Sequence, residues 1–260
     1  MAFDYYATVP LSMRADSESV IIYRGDVPTS SLTLIVYFHG ISVRSMRWYL
    51  QQKEYDLKQV VDLAQESVVL VAPSLSSDAQ AGDDFTLKSY LPSLAAALQK
   101  ANPDASLPDI SKVGNIKKLI LAAHSGGGKV MLATAQKKSD QEPFAQLISE
   151  CWGFDCLYGP KEQNAVAVPA ATTSVAAWQQ WQVKQHHHRE LQWAEWLEAN
   201  SSVKFWLYYT SQGGTETRSN NLKELGNRKG LNKVVVEYLP GVTHPGAVLT
   251  GFGKRLPQKS

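Results

Sequence analysis

Short apolar runs alternate with longer segments of mixed polar and apolar residues along most of the chain. Several runs are continuously hydrophobic, as strands buried on both faces of a parallel sheet are. The pattern predicts strands at 20–23, 32–38, 68–72, 119–123, 151–157, 203–210 and 234–239.

The longer segments carry apolar residues at three- and four-residue spacing, which is typical of helices with one buried face. They predict helices at about 45–65, 86–101, 127–137, 173–199 and 220–229. This alternation indicates an α/β fold, a mostly parallel twisted sheet with helices on both faces. A chain of 260 residues is expected to form a single domain, here with a helical lid-like insertion at about 160–200.

Tryptophans occur at helical spacing in that insertion. Trp178 and Trp181 share one helical face, and Trp193 and Trp196 share another. Packing against the sheet explains both pairs, and so does a lid whose aromatic rings line a substrate pocket. Both interpretations stay open at this point.

Three consecutive histidines, His186, His187 and His188, lie in the same segment. Consecutive side chains on a helix point about 100° apart, so these rings cannot all meet one metal ion. We expect a solvated face there.

The charge is nearly balanced, with 26 basic and 24 acidic side chains. This argues against a nucleic-acid-binding surface, and no run approaches the roughly 18 apolar residues of a membrane span. The N-terminus has no secretory signal pattern, so we expect a cytoplasmic protein. The expected partner is a small-molecule ester or amide. No motif requires a cofactor or a metal, and the oligomeric state stays open.

The two cysteines, Cys151 and Cys156, lie five positions apart in one predicted strand. We therefore expect them to point to opposite faces of the sheet and to form no disulfide. Buried thiols of this kind fit a reducing compartment.

An apolar strand runs directly into glycines at Ser125. The sequence Ala-His-Ser-Gly-Gly, from Ala123 to Gly127, differs from the nucleophile-elbow pattern Gly-x-Ser-x-Gly only in its first residue. At such an elbow a strand turns sharply into a helix and presents the serine at the strand's tip. A phosphate-binding loop matches less well, because Ala123 stands in place of a glycine and Val130 in place of Ser or Thr. An ordinary glycine-rich turn also fits, so the rest of the chain has to supply the partners of Ser125.

A serine nucleophile needs a histidine to accept its proton and a carboxylate to orient that histidine. His244 lies in a loop of prolines and glycines directly after the last predicted strand, from which it can reach the sheet's carboxyl edge. Two carboxylates are candidates, Asp155 at a strand end and Glu216 in the loop after the next strand. Asp155 is preferred, because an aspartate at an apolar strand end is costly unless it is paired.

The oxyanion of such a reaction needs two backbone donors. One is the Gly126 N–H, directly after the candidate nucleophile. The other is expected where the strand ending at Phe38 runs into His39, Gly40 and Ile41, because the Ile41 N–H is then placed to point inward. His39 is expected to order this turn.

A His-Gly turn after an early strand, a serine elbow, an acid and a final histidine follow one another in the order found in α/β-hydrolases. Over residues 32–260 the chain resembles that family. The Asp-x-Leu-Tyr-Gly run that begins at Asp155 is also similar to a group of bacterial hydrolase-like proteins, which implies that Asp155 is the acid. The chain departs from the family pattern at Ala123 and in having no aspartate in the loop after Thr210, where the family's acid more commonly lies.

The expected function is hydrolysis of carboxylic esters through an acyl-enzyme. The residues expected to carry it are Ser125, His244 and Asp155, with the Ile41 and Gly126 N–H groups as oxyanion hole. The same groups can cleave an amide or a peptide, because a histidine can protonate a poorer leaving group. A binding protein without catalysis on the same fold is a third interpretation.

Overall fold

A computed structural model describes residues 1–9, 17–27, 31–41, 43, 45–82, 85–137, 143–158, 167, 169, 177–178, 180–181 and 188–256. In these ranges eight strands form one sheet: β1 Ala2–Thr8, β2 Glu18–Arg24, β3 Leu32–Phe38, β4 Val68–Pro73, β5 Ile116–His124, β6 Ile148–Phe154, β7 Lys204–Tyr209 and β8 Val234–Tyr238.

The strand order is β1-β2-β4-β3-β5-β6-β7-β8. β2 is antiparallel to both β1 and β4, and every other neighbouring pair is parallel. The predicted α/β fold with a mostly parallel sheet is confirmed. The carboxyl ends of the parallel strands share one edge, so the loops after β3, β5, β6, β7 and β8 gather there.

Both faces of the sheet are buried, which explains the continuously apolar strands. In β3, Leu34, Val36 and Phe38 pack in one hydrophobic cluster, whereas Ile35 and Tyr37 pack in a second cluster on the opposite face. None of these side chains is exposed.

Helices cover both clusters. They are α1 Met46–Leu50, α2 Leu57–Leu63, α3 Leu87–Ala101, α4 Gly128–Gln136, α5 Arg189–Ala199, α6 Glu216–Arg228 and α7 Gly246–Arg255, with 3-10 turns at Lys53–Tyr55, Val113–Asn115, Ser125–Gly127 and Ala145–Leu147. Side chains of α3, α4, α5 and α6 belong to the first cluster, and those of α1, α2 and α7 belong to the second. None of the helices in the described ranges is both long enough and apolar enough to cross a membrane.

The prediction of a single helix at 45–65 is wrong. α1 ends after little more than one turn, and Gln52 is extended, with ψ 130°. The Asp56 carboxylate then accepts a hydrogen bond from the Gln59 N–H and starts α2 as a separate helix. A capping aspartate inside an amphipathic pattern therefore marked a helix start.

Two elements were missed by the pattern. β1 is an edge strand in which Ala2 and Ala7 are the buried residues, so it shows little apolar alternation. α7 contains glycines, which disfavour helix, but Val248 and Phe252 lie four residues apart and are buried in the second cluster. Packing decides the conformation in both places.

The segment predicted as a lid, 160–200, lies mostly outside the described residues. The predicted helix at 173–199 is not continuous, because His188 is extended and α5 begins after it. Trp181, Trp193 and Trp196 are buried in the first cluster, and Trp178 packs against it. The packing interpretation of the tryptophans is the one that these contacts favour.

His188 is not part of a solvated face, so that prediction is wrong for it. The side chain is 1% exposed, and its Nδ1 lies 3.4 Å from Glu190 Oε1. His186 and His187 lie outside the described residues. Within the part of the chain that the structure describes, no group of three or more His, Cys, Asp or Glu side chains is placed to hold a metal ion.

Cys151 and Cys156 are free thiols, as expected, but they do not point to opposite faces. The predicted strand at 151–157 is shifted, because β6 ends at Phe154 and the positive φ of Asp155, 45°, turns the chain before Cys156. Both thiols pack in the first cluster, and burial raises the pKa of each.

Candidate active site

Ser125 stands at a sharp turn between β5 and α4. Its φ is 51°, in the left-handed region, which costs an L-residue about 1–2 kcal/mol. A serine held in this conformation is what the nucleophile elbow requires. The residue is 7% exposed. Gly40 leaves the space beside it open, since a Cβ there would lie 2.9 Å from Ser125 Cβ and 3.3 Å from Ser125 Oγ.

The glycines after Ser125 allow α4 to pass close to two other chain segments. A Cβ on Gly127 would overlap the Phe38 carbonyl oxygen at the end of β3. One on Gly128 would overlap the Cys156 carbonyl oxygen just beyond β6. The turn at Ser125 therefore packs between the loop after β3, which carries Ile41, and the loop after β6, which carries Asp155.

Gly128→Ala is expected to destabilise the protein by about 1–3 kcal/mol, because the backbone of the Cys156 segment has to move. For a chain of this size that lowers Tm by roughly 2–4 °C per kcal/mol, measurable by calorimetry. The matched control is Gly253→Ala in α7, where a Cβ meets nothing within 4 Å and where the substitution should raise stability by up to about 1 kcal/mol. Equal melting temperatures for the two variants would contradict the close approach.

Asp155 follows β6 and is completely buried. Its Oδ1 accepts hydrogen bonds from the Thr210 N–H at 2.8 Å and the Thr215 hydroxyl at 3.0 Å. Its Oδ2 accepts one from the Thr210 hydroxyl at 2.5 Å and lies 3.1 Å from His244 Nδ1. Burial by itself would raise the pKa of this carboxyl, but the hydrogen bonds outweigh burial and hold the pKa below its usual range. Asp155 is therefore a carboxylate at neutral pH.

His244 lies in the loop between β8 and α7, and its side chain is 26% exposed. Asp155 is the carboxylate that it contacts. The other candidate acid, Glu216, is the first residue of α6 and is exposed to solvent. Because a carboxylate oxygen accepts, Nδ1 is assigned as the donor of this hydrogen bond, and in the neutral imidazole Nε2 is then the acceptor.

His124, the residue before Ser125, supports the His244 loop. Its Nε2 donates a hydrogen bond to the His244 carbonyl oxygen at 3.1 Å, and the two imidazole rings are 4.4 Å apart between centroids. Burial, with a smaller contribution from the charge of His244, lowers the pKa of His124 to about 3. His124 is thus neutral throughout the ordinary pH range. Nothing in the sequence reveals this contact, because the two residues lie 120 positions apart.

His39 orders the turn after β3, as expected. Its Nε2 accepts from the Leu75 N–H at 2.7 Å, and its Nδ1 donates to the Gly40 carbonyl at 2.6 Å. On the other side of this turn, a Cβ on Gly126 would lie 3.6 Å from the Ile41 nitrogen and 2.8 Å from Ile41 Cγ2. The Ile41 nitrogen therefore lies beside Gly126. The Gly126 N–H opens a helical turn, where the first N–H groups have no acceptor within the helix.

Tyr158 is a residue of this site that sequence analysis did not single out. Its ring meets the His244 ring edge-on, with centroids 6.2 Å apart and an interplanar angle of 85°. Its hydroxyl donates to the Gly213 carbonyl. The available signal was its place in the Asp-x-Leu-Tyr-Gly run, three residues after Asp155.

A cavity of about 460 Å³ opens beside the elbow, between the segment after β4 and α4. It is lined by Gln80, Ala81, Gly82, Phe85, Lys129, Val130, Ala133, Thr134 and Lys137. The Lys129 ammonium donates to the Asp78 carbonyl at 2.6 Å and ties that segment to α4. Neither Ser125 nor His244 lines this cavity, so the cavity does not contain the candidate catalytic side chains.

No protein-family model and no curated protein sequence matches the chain. Solved structures do match it. A ferulic acid esterase aligns with a TM-score of 0.60 at 12% identity, over 99% of this chain and 97% of that protein. S-formylglutathione hydrolase FrmB from Staphylococcus aureus aligns with a TM-score of 0.59 at 12% identity, over 98% and 94% of the two chains.

A fluorophosphonate-binding serine hydrolase from Staphylococcus aureus, FphF, solved with substrate bound, is also similar. Its TM-score is 0.54 at 11% identity, over 98% of this chain and 96% of that one. Alignments of nearly full length at such low identity show a shared architecture. The protein therefore has the α/β-hydrolase fold.

Proposed function

We propose that this protein is a serine hydrolase that cleaves carboxylic esters. The observation that carries the proposal is the hydrogen bond of His244 Nδ1 with the buried carboxylate of Asp155, at the sheet edge where Ser125 is held in a left-handed conformation. A structural aspartate does not need a partly exposed histidine whose second ring nitrogen is left as a base. A strained serine at the same edge of the sheet as this pair fits a nucleophile.

In the proposed reaction, Ser125 Oγ attacks the acyl carbon while His244 Nε2 accepts the serine proton. Asp155 holds the proton on Nδ1 and stabilises the imidazolium. The oxyanion binds to the Ile41 and Gly126 N–H groups. His244 then gives its proton to the leaving alcohol, and water hydrolyses the acyl-enzyme by the same steps.

The similar structures support an ester as substrate. One is named a ferulic acid esterase and another an S-formylglutathione hydrolase, and both cover nearly the whole chain. An amide substrate would use the same groups, so an ester and an anilide of one acyl group should be compared. We expect the ester to be cleaved faster.

The test is covalent labelling of the wild-type protein. A fluorophosphonate should label one site, and peptide mass spectrometry should place the adduct on Ser125. The same preparation should hydrolyse 4-nitrophenyl esters, and heat-denatured protein should do neither. A folded protein that neither labels nor hydrolyses acetate, butyrate and hexanoate esters would instead support a binding protein on this fold.

A further inference from the structure

His124 is the last residue of β5, and its side chain meets the loop that carries the candidate base. Its Nε2 lies 3.1 Å from the His244 carbonyl oxygen. A carbonyl oxygen can only accept a hydrogen bond, so Nε2 of His124 carries the proton and its Nδ1 is an acceptor. The two imidazole rings lie 4.4 Å apart between centroids and are tilted by 34°. His124 therefore contacts both the backbone and the ring of His244.

The His124 ring also packs against aromatic residues of the second cluster. The Tyr55 ring lies 5.6 Å from it between centroids, and Tyr55 stacks on Tyr49 at 4.1 Å. The Tyr49 hydroxyl shares a hydrogen bond of 2.5 Å with the Tyr37 hydroxyl, and both of these tyrosines are buried. The backbone of His124 pairs with Phe154 of β6. The sheet and this stack together fix the place of the His124 donor.

The acceptor nitrogen of His124, Nδ1, is buried, and among the described residues it has no hydrogen-bond partner. An unpaired buried polar atom lowers the stability of the folded protein. An apolar side chain at this position would avoid that cost. A local rule that is broken in this way is expected where a residue has a function, and the function available to His124 is its hydrogen bond to His244.

His124 stays neutral beside the candidate base. Burial, with a smaller contribution from the charge of His244, lowers the pKa of His124 to about 3, and a charge on His39 acts in the same direction. The hydrogen bond to the His244 carbonyl and the charge of Asp155 act in the opposite direction without reversing the shift. A neutral donor adds no positive charge beside His244 when that ring becomes an imidazolium.

We propose that His124 is a positioning residue, whose Nε2–H holds the backbone of His244 so that the imidazole keeps its hydrogen bond with Asp155 and stays available to Ser125. The proposal rests on the proposed function of Ser125 and His244. The His244 carbonyl otherwise accepts only a long hydrogen bond, from the Ala247 N–H at 3.4 Å. Without the His124 donor the loop is free to shift, and a shift of about 1 Å in a catalytic group can cost a hundredfold in rate.

The test compares two amide variants of His124. Glutamine places its amide nitrogen where Nε2 of the histidine lies, whereas the shorter asparagine places it near Nδ1. In His124→Asn we expect kcat and kcat/KM for 4-nitrophenyl esters to fall together by about ten- to a hundredfold. His124→Gln keeps the donor, and both constants should stay within about threefold of the wild-type values.

The rates are expressed per active site, counted by mass spectrometry of the fluorophosphonate adduct. The labelling rate constant of His124→Asn should fall together with kcat, because His244 also activates Ser125 in that reaction. A role in folding alone would lower Tm or the fraction of protein that labels, and it would leave the rate per labelled site unchanged.

Asn115→Ala serves as the control, directly before β5 and so at the opposite edge of the sheet. The Asn115 amide also donates to a loop carbonyl, that of Asp109, at 3.0 Å. This variant should lose stability and keep the wild-type kcat. A wild-type rate per site in His124→Asn, or an equal loss of rate in His124→Asn and His124→Gln, would overturn the proposal.

His124→Met covers the case in which His124→Asn does not fold. Methionine has the length of glutamine but no donor, so its rate per site should fall by the same factor of about ten to a hundred. A wild-type rate in His124→Met would overturn the role of His124, and so would a His124→Gln rate below about a tenth of the wild-type rate. Failure of the proposed function is a different result, because the wild-type protein would then neither label nor hydrolyse esters.

Discussion

Ser125→Ala is expected to lower kcat/KM for 4-nitrophenyl esters by about 10⁴-fold or more and to abolish fluorophosphonate labelling. Without the hydroxyl no acyl-enzyme forms, and only the oxyanion donors and substrate binding remain to accelerate direct attack by water. Initial rates with purified variants, corrected for the spontaneous hydrolysis of the ester, measure the loss.

Two further variants separate lost chemistry from lost structure. Ser125→Gly should be equally inactive, yet it should melt no lower than Ser125→Ala, because glycine adopts the φ of 51° without strain. Ser149→Ala removes a hydroxyl that donates to the Leu119 carbonyl, far from the elbow, and should keep full activity. Retention of labelling in Ser125→Ala would assign the nucleophile elsewhere and contradict the proposed function.

The elbow could be predicted from sequence because its constraints are local. Ser125 must adopt a left-handed conformation, and Gly127 and Gly128 must admit neighbouring carbonyl oxygens. Each requirement restricts adjacent positions of the chain to small residues, and this pattern can be read in the sequence. The buried strands are visible for a similar reason, since the two faces of β3 are both apolar.

The setting of Asp155 could be predicted only in outline. An aspartate at an apolar strand end indicates a partner, but the hydrogen bonds that lower its pKa come from His244, Thr210 and Thr215, which lie 89, 55 and 60 residues further along the chain. Nothing in the sequence indicates which group a loop threonine binds. The hydrogen bond of Tyr158 to the Gly213 carbonyl is equally unpredictable, because every residue has a backbone carbonyl.

The burial of charged side chains was the property hardest to predict from the sequence. Glu190 is completely buried, and the Arg218 guanidinium and the Asn221 amide both donate to it. His188 lies against Glu190 and is buried with this network. The run of three histidines had predicted a solvated face instead. A polar residue is buried only where its partners converge, and those partners come from α5 and α6 together.

Asp155→Asn is expected to lower kcat by about 10³–10⁴-fold at neutral pH, since the loss of an orienting carboxylate leaves the imidazole in the wrong tautomer. The asparagine oxygen can still accept from Thr210, but its amide nitrogen then donates towards His244 Nδ1. The proton of His244 moves to Nε2, and the base that Ser125 needs is lost. Steady-state rates as a function of pH, with Tm measured on the same preparations, report both effects.

Glu216→Gln is the matched control, because it makes the same carboxylate-to-amide change at the other candidate acid. Glu216 is exposed at the start of α6, so the substitution should change stability by less than about 0.5 kcal/mol and leave kcat within about twofold. If Glu216→Gln lost activity and Asp155→Asn kept it, Glu216 would be the acid and a rearranged α6 would have to bring it to His244. The buried position of Asp155, with Thr210 and Thr215 bound to its carboxylate, favours the opposite outcome.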